Sequence, residues 1–415
     1  MAPNYNRQND RLKGIQSRKA KIDMIVSGLE FNDNCIVTGG MDVTFSNGAL
    51  VANRKLILEN LIERLVRESK RPVVVFYKSP YLINQFSNWY KTQNIRRKCS
   101  VISSSLIAHS LDGDNRRLEP FGGMSAEEII YTVKAMSAFM NIPFDQYSET
   151  FFEYLISVVL SVARETGCSL NFENIMVLIS KSDEELSVLA KSLGLITESK
   201  YFSKAVNGSE AVKRVLKEMN NYFRAYYSGS RFDKINICSE VRNNNVLFIE
   251  IDDQYQTEMV EYFYNELKCC SKKCPYIVLD DILIKNNPNF EDYLLQSTGL
   301  RFCIGAMDVS VVLSKDSLND FLSQTQTKFL LHYDNATSAE IITASIGYYY
   351  HMKVSEEESS NTETFKILTG SISKGISVTD EKRLIIEGTD LTNLSASQMF
   401  LVDSNSGKIF VDGLL

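Results

Sequence analysis

Two stretches of this sequence carry side chains suited to phosphate chemistry. Tyr276-Ile277-Val278-Leu279-Asp280-Asp281 runs an apolar segment into two acids. A strand ending in paired acids can order Mg²⁺ with the first and place an attacking water with the second. The second is usually glutamate, and Asp281 is one methylene shorter. The same pair also reads as strand-end acids capping a turn. The other stretch is Asn53-Arg54-Lys55-Leu56, directly after the short apolar run Ala49–Ala52. A nucleotide-binding loop here would read G-x-x-x-x-G-K-[ST], with glycines wrapping the phosphates, lysine on the β and γ groups and a hydroxyl on magnesium. The glycine loop is missing, and Leu56 stands where the hydroxyl belongs. Lys55 is either a remnant phosphate contact at a helix start or an exposed basic residue. Because a buried acid pair needs a counter-charge, Arg54 or Lys55 is expected to pair with Asp280 or Asp281.

Other chemistry is hard to build. His109, His332 and His351 lie in unrelated segments, so no Ser-His-Asp or Cys-His arrangement is readable. The eight cysteines are scattered, which favours free thiols in a reducing compartment. Cys269, Cys270 and Cys274 lack paired C-x2-C spacing, so no metal site is expected. Thr38–Thr44 is glycine-containing but has no lysine. With Asn47-Gly48 between Val43-x-Phe45 and Leu50-Val51 it reads as a β-hairpin leading into the sheet.

The elements that must position these residues alternate. Leu56–Glu68 is a helix, Pro72–Tyr77 a buried strand, Ser79–Lys91 a helix and Cys99–Ser103 a short strand. That order implies a parallel sheet with right-handed crossovers. From Ser125 to about Ser228 only helices are readable. The first opens on a capping box, Ser125 with Glu128. Phe151, Phe152, Leu155, Ile156, Val159 and Leu160 cover more than one stripe, which makes that helix the centre of a bundle. Strands resume at Asn245–Ile251, Tyr276–Leu279, Leu300–Ile304 and Lys328–Tyr333. Ser355–Glu363 reads as an unstructured polar loop, and the segment from Met399 as a hairpin. Four units follow: a basic arm over 1–30, a first α/β part over 31–124, an all-α insertion over 125–230, and a second α/β part with a C-terminal hairpin over 231–415.

At 415 residues with 44% hydrophobic and 23% charged residues, the chain is an ordinary globular protein of more than one unit. A net charge of −6 excludes a surface that grips nucleic acid everywhere, so any DNA contact is local. The arm is basic, with Arg7, Arg11, Lys13, Arg18, Lys19 and Lys21 against Asp10. It reads as a frayed terminus, or as a contact for an acidic partner or anionic lipid. The apolar run Phe151–Ala163 is short of the roughly 20 residues of a membrane span, and no signal region precedes it. A cytoplasmic protein with no transmembrane segment is expected.

This layout resembles the type IV coupling proteins, the motors of conjugation and secretion. Glu119-Pro120-Phe121 is similar to the family's turn before its helical insert, and Asn244–Ile251 and Ile277–Asp281 to two of its strands. Gln296–Gly305, Thr325–Gly347 and Leu384–Leu394 resemble later segments. The resemblance spans about residues 30–400. It implies an α/β, P-loop NTPase-like (RecA-like), mostly parallel sheet with an inserted all-α domain. The departures fall on chemistry: no glycine loop, Asp281 for glutamate, and Ala306-Met307-Asp308-Val309 where the family carries a glutamine. The family's membrane helices are also not seen.

The resemblance therefore implies a non-catalytic binding or assembly component of a conjugation or type IV secretion apparatus. The alternatives are an atypical ATPase and a regulatory nucleotide-binding module. Asn53, Arg54, Lys55, Asp280, Asp281 and Arg301 would form a vestigial nucleotide pocket, with Arg301 also able to act in trans in an oligomer. No catalytic residue and no bound cofactor are expected; ATP and Mg²⁺ would be the candidates. Partners would be protein components of the apparatus, in a homo- or hetero-oligomer that could hold the chain peripheral to the inner membrane. Tyr222, Phe223, Tyr226 and Tyr227 crowd one helix end, either as ordinary packing or as interface anchors.

Overall fold

The computed structural model describes residues 33–40, 53–93, 95–104, 117–167, 171–195, 207–227, 234–270, 273–360, 372–395, 398–404 and 408–413. The arm, the Ala49–Ala52 strand, the hairpin over 43–51 and Cys168 all lie outside them.

Nine strands form one sheet. In chain order they are β1 (Cys35–Thr38), β2 (Val73–Tyr77), β3 (Cys99–Ile102), and, after a two-residue bridge of β4 (Arg117–Leu118) with β5 (Lys234–Ile235), β6 (Val246–Glu250), β7 (Tyr276–Asp280), β8 (Arg301–Ala306) and β9 (Thr327–Leu330). Two further strands, β12 (Gln398–Asp403) and β13 (Lys408–Gly413), complete it, and the spatial order is β13-β12-β9-β1-β8-β7-β2-β6-β3. All pairs from β9 to β3 are parallel, while β12 and β13 add an antiparallel edge. Side chains alternate across β2 as a strand between two covered faces requires. Val74 and Phe76 join the core on one face, and Val73, Val75 and Tyr77 the core on the other.

Helices α1 (Asn53–Glu68) and α2 (Pro80–Thr92) cover the second face. The first face takes the helical insertion: α3 (Ala126–Phe139), α4 (Gln146–Thr166), α5 (Phe172–Ile179), α6 (Asp183–Ser192) and α7 (Ser209–Tyr227). Ser125 and Glu128 form the capping box that starts α3. Phe151, Phe152, Leu155, Ile156 and Val159 of α4 are buried, whereas Leu160 turns outward at 36% exposure. After β5 come α8 (Ile237–Arg242) and α9 (Gln256–Cys269), which also pack on this face.

An aromatic column ties the insertion to the sheet through α9. Ring centroids run Phe76–Phe263 at 6.2 Å, Phe263–Phe223 at 6.0 Å, Phe223–Tyr262 at 4.3 Å, Tyr262–Phe121 at 6.2 Å and Phe121–Phe172 at 5.4 Å. Each edge-on or tilted pair adds about 0.5–1.5 kcal/mol beyond area burial.

Two expectations are corrected, and β1 is a strand that the sequence reading did not find. Cys238 of α8 and Cys270 after α9 are disulfide-bonded, so not all the thiols are free. Finally, residues 355–360 belong to β10 (Tyr348–Ser360), which pairs along its whole length with β11 (Ile372–Leu384) as a separate two-stranded ribbon. There the polar run is held by ladder hydrogen bonds rather than by apolar alternation.

Candidate functional site

The helix α1 begins beside the carboxyl ends of β7 and β8, and its first turn sends two cations toward them. Arg54 Nη2 lies 2.7 Å from Asp281 Oδ2. Lys55 Nζ lies 2.5 Å from Asp280 Oδ1 and 3.1 Å from Asp281 Oδ2. The side chains of Arg54 and Asp280 are 0% exposed and that of Lys55 is 3% exposed, while Asp281 keeps 31%. Two cations and two carboxylates thus neutralise each other in a largely dry cluster, and only Asp281 reaches solvent.

Close backbone approach sets this geometry. Leu58 of α1 sits over Gly305 of β8, where a Cβ would fall 2.5 Å from Leu58 Cδ1. Asp281 turns away from the strand with φ 57, and its N–H donates to the Gly305 carbonyl at 2.8 Å. Met307 N–H donates to Asp281 Oδ1 at 3.4 Å. At the end of β1, Gly39 has φ 87 and its N–H donates to the Met307 carbonyl at 3.0 Å. A Cβ there would lie 2.7 Å from the Leu331 carbonyl oxygen. Gly39→Ala is therefore expected to cost at least about 2 kcal/mol, from left-handed strain plus a backbone clash. Its urea midpoint reports this, and an unshifted midpoint would refute the close approach.

Burial pushes the Asp280 carboxyl above its ordinary range, against the opposing pull of Lys55 and with Asp281 adding to the rise. Asp280 Oδ2 is buried and has no hydrogen-bond partner among the described residues. Beside the cluster, Asp308 caps α10 (Val309–Val312), accepting from Ser310 N–H at 2.9 Å, Ser310 Oγ at 2.6 Å and Ser338 Oγ at 2.6 Å. Thr38 at the end of β1 shares a short hydrogen bond with the Tyr333 hydroxyl, whose pKa burial raises.

The structure therefore brings Arg54, Lys55, Asp280 and Asp281 together, with Asn53 as the first residue of their helix. It does not bring Arg301 with them. Arg301 opens β8 and aligns with Tyr276, whereas Asp280 aligns with Gly305 at the other end. Four residues of strand, about 13 Å, separate the two levels, so Arg301 is no part of this pocket.

Of the two readings of the aromatic helix end, the described core residues follow packing: Phe223 is 0% and Tyr226 2% exposed, and Phe223 packs on Tyr262 and Phe263 of α9. Tyr222 is half-buried against Tyr255, with ring centroids 5.3 Å apart. The side chain of Tyr227 lies outside the described residues. Packing accounts for Phe223 and Tyr226, and Tyr222 is half-buried.

Sequence reasoning missed a buried carboxyl at the neck of the insertion. Glu266 of α9 accepts from the Phe121 N–H at 3.2 Å and, in a short hydrogen bond, from the Tyr262 hydroxyl. Burial lifts its pKa to about 7. The signal was Tyr262 and Glu266 four apart on one helix face, next to a turn whose Phe121 has φ 65.

A magnesium–nucleotide complex does not fit the cluster as it stands. The lysine that would meet phosphate is committed to both acids, and Leu56 offers magnesium no hydroxyl. Cys269, Cys270 and Cys274 do not converge: Cys270 is bonded to Cys238, Cys269 lies 3.9 Å from the Thr132 hydroxyl, and Cys274 lies 3.4 Å from the Thr298 carbonyl. Among the described residues no group of three or more His, Cys, Asp or Glu could hold a metal, and no helix is long and apolar enough to cross a membrane.

No family model matches the sequence, and no curated protein does. Solved structures do match. "Bacterial conjugative coupling protein TrwBdeltaN70" in its unbound form aligns with a TM-score of 0.53 and 11% identity, over 92% of this chain and 84% of that one. Plasmid coupling protein TrwB in complex with the ATP analogue ADPNP gives 0.54 and 12%, over 92% and 86%. TrwB in complex with ADP and Mg²⁺ gives 0.50 and 11%, over 92% and 85%. At this identity the likeness establishes the fold: a mostly parallel P-loop NTPase-like sheet with helices, as in the conjugative coupling proteins.

Proposed function

We propose that this chain is a non-catalytic component of a conjugation or type IV secretion apparatus, a coupling-protein fold used for binding and assembly rather than nucleotide turnover. The observation that carries the reading is the closed cluster of Arg54 and Lys55 with Asp280 and Asp281. Phosphoryl transfer relies on a free cation for the phosphates, an acid free for magnesium and a positioned water. Here the cation and the acids are spent on each other. The fold likeness to a conjugative coupling protein supports the setting, a cytoplasmic one with protein components of the same apparatus as partners.

The test is magnesium-dependent ATP hydrolysis together with binding of a fluorescent ATP analogue. The expected outcome is no hydrolysis above background and no saturable binding that requires magnesium. Turnover of about one per second, within the ordinary range of phosphoryl-transfer enzymes and abolished in Asp280→Asn, would make the chain an atypical ATPase. Magnesium-dependent saturable binding without turnover would make it a regulatory nucleotide-binding module. Either result replaces the reading.

A further inference from the structure

At the other end of the sheet, roughly 20 Å down α1 from Lys55, lies a depression of about 550 Å³. Its lining includes Arg67, Ser69, Gln93, Ile95, Arg96 and Arg97. The volume falls within the roughly 300–1,000 Å³ of small-ligand pockets.

The end of a helix ordinarily repels anions, since its last carbonyls carry partial negative charge. Arg97 removes that obstacle. Its Nη1 donates to the Leu65 and Ser69 carbonyls at 3.0 Å each, its Nε to the Asn244 carbonyl at 2.8 Å, and its Nη2 to the Arg71 carbonyl. One guanidinium thus covers the end of α1 and the chain just beyond it.

Two other guanidinium groups remain to act on a ligand. Arg67 lies over the Trp89 ring at 5.0 Å. It also forms an ion pair at 3.6 Å with Glu63, whose side chain is buried. Arg96 is exposed and makes no hydrogen bond or ion pair among the described residues. Glu68, next to Arg67 in sequence, is already held by Arg64 at 3.0 Å.

We infer that this pocket binds a compact, multiply charged phosphate compound through Arg67 and Arg96. Guanidinium groups grip phosphate oxygens in pairs, and Arg96 together with Arg67, whose ion pair to Glu63 leaves it 48% exposed, offers two such groups to one phosphate compound. A net charge of −6 works against a long polyanion track over the surface. The inference rests on neither the Lys55 cluster nor the proposed function.

The chain reports on this site itself, because Trp89 is its only tryptophan and Arg67 covers it. The protein is titrated with inorganic triphosphate, followed by tryptophan emission and by calorimetry. A saturable signal is expected in both. Arg96→Gln, an exposed position with no ion pair among the described residues, should keep the wild-type melting temperature, and Arg67→Gln/Arg96→Gln, assayed where it is folded, should weaken the calorimetric affinity at least about tenfold, or about 1.4 kcal/mol. Lys191→Gln/Lys315→Gln, the same loss of charge elsewhere, should leave it unchanged. Absence of saturable heat, or equal weakening in both double variants, overturns the site. A short single-stranded oligonucleotide that displaces triphosphate would overturn the compact ligand in favour of a nucleic-acid backbone; one that does not supports a free phosphate compound.

Discussion

Lys55→Met is expected to lower the unfolding free energy by about 3–5 kcal/mol, the cost of leaving one member of a buried ion pair without its partner. The loss would appear as a lower urea midpoint at unchanged slope. Asp280 is fully buried and Lys55 Nζ is the cation on its Oδ1, at 2.5 Å. Without it, the carboxylate must lose its proton in a dry site or stay protonated. Asp280 already has a pKa raised by burial, and losing Lys55 raises it further. A carboxyl whose folded pKa exceeds its unfolded value stabilises the fold below the unfolded pKa, and that contribution is lost as pH rises through the folded pKa. The deficit of Lys55→Met should therefore be larger at pH 8 than at pH 5. Lys55→Met/Asp280→Leu, which removes both charges, should recover most of the stability, since apolar replacement of a whole buried pair is often neutral. A loss below about 1 kcal/mol for Lys55→Met, the range of exposed pairs, would mean that Lys55 stands in solvent and is open to phosphate.

The second large effect belongs to Glu266. Its carboxyl moves from an ordinary 4.5 to about 7 because burial disfavours the charged form, partly offset by the Tyr262 hydroxyl and the Phe121 N–H. Both donors reach Oε1, and Oε2 has no partner among the described residues, which suits a proton on Oε2. Stability from this group is full below about 4.5 and falls as pH rises through about 7, by about 3 kcal/mol in all. Glu266→Gln carries a neutral isostere at every pH. It should match the wild type near pH 5 and be more stable by about 2–3 kcal/mol at pH 8. Urea unfolding of both proteins at several pH values measures the difference; parallel curves from pH 5 to 8 would show that Glu266 ionises at no cost.

The meeting of Lys55 with Asp280 was legible because both ends of the encounter are local signals. An apolar run ending in acids places them at the carboxyl end of a strand, and a helix that follows a parallel strand starts at that same end. Arg301 was legible too, and was misplaced: it precedes its apolar run, so it stands at the amino end. β1 was harder. Cys35–Thr38 is only four residues, and its partners β8 and β9 lie more than 260 positions away, so no local window contains its pairing. The same holds for Cys238 with Cys270, whose union depends on how α8 packs on α9. For α7 the pattern gave its aromatic residues but not how much of the helix is covered, and tertiary packing decided that Phe223 and Tyr226 are core.

The aromatic column has a mechanical meaning. Close-packed interiors transmit strain instead of absorbing it, and the column runs unbroken from α5 through Phe121, Tyr262, Phe223 and Phe263 to Phe76. Phe76 lies on β2, whose next residue Tyr77 is in register with Asp280. One continuous line of ring contacts thus joins the insertion, by way of α9, to the strand beside the charge cluster.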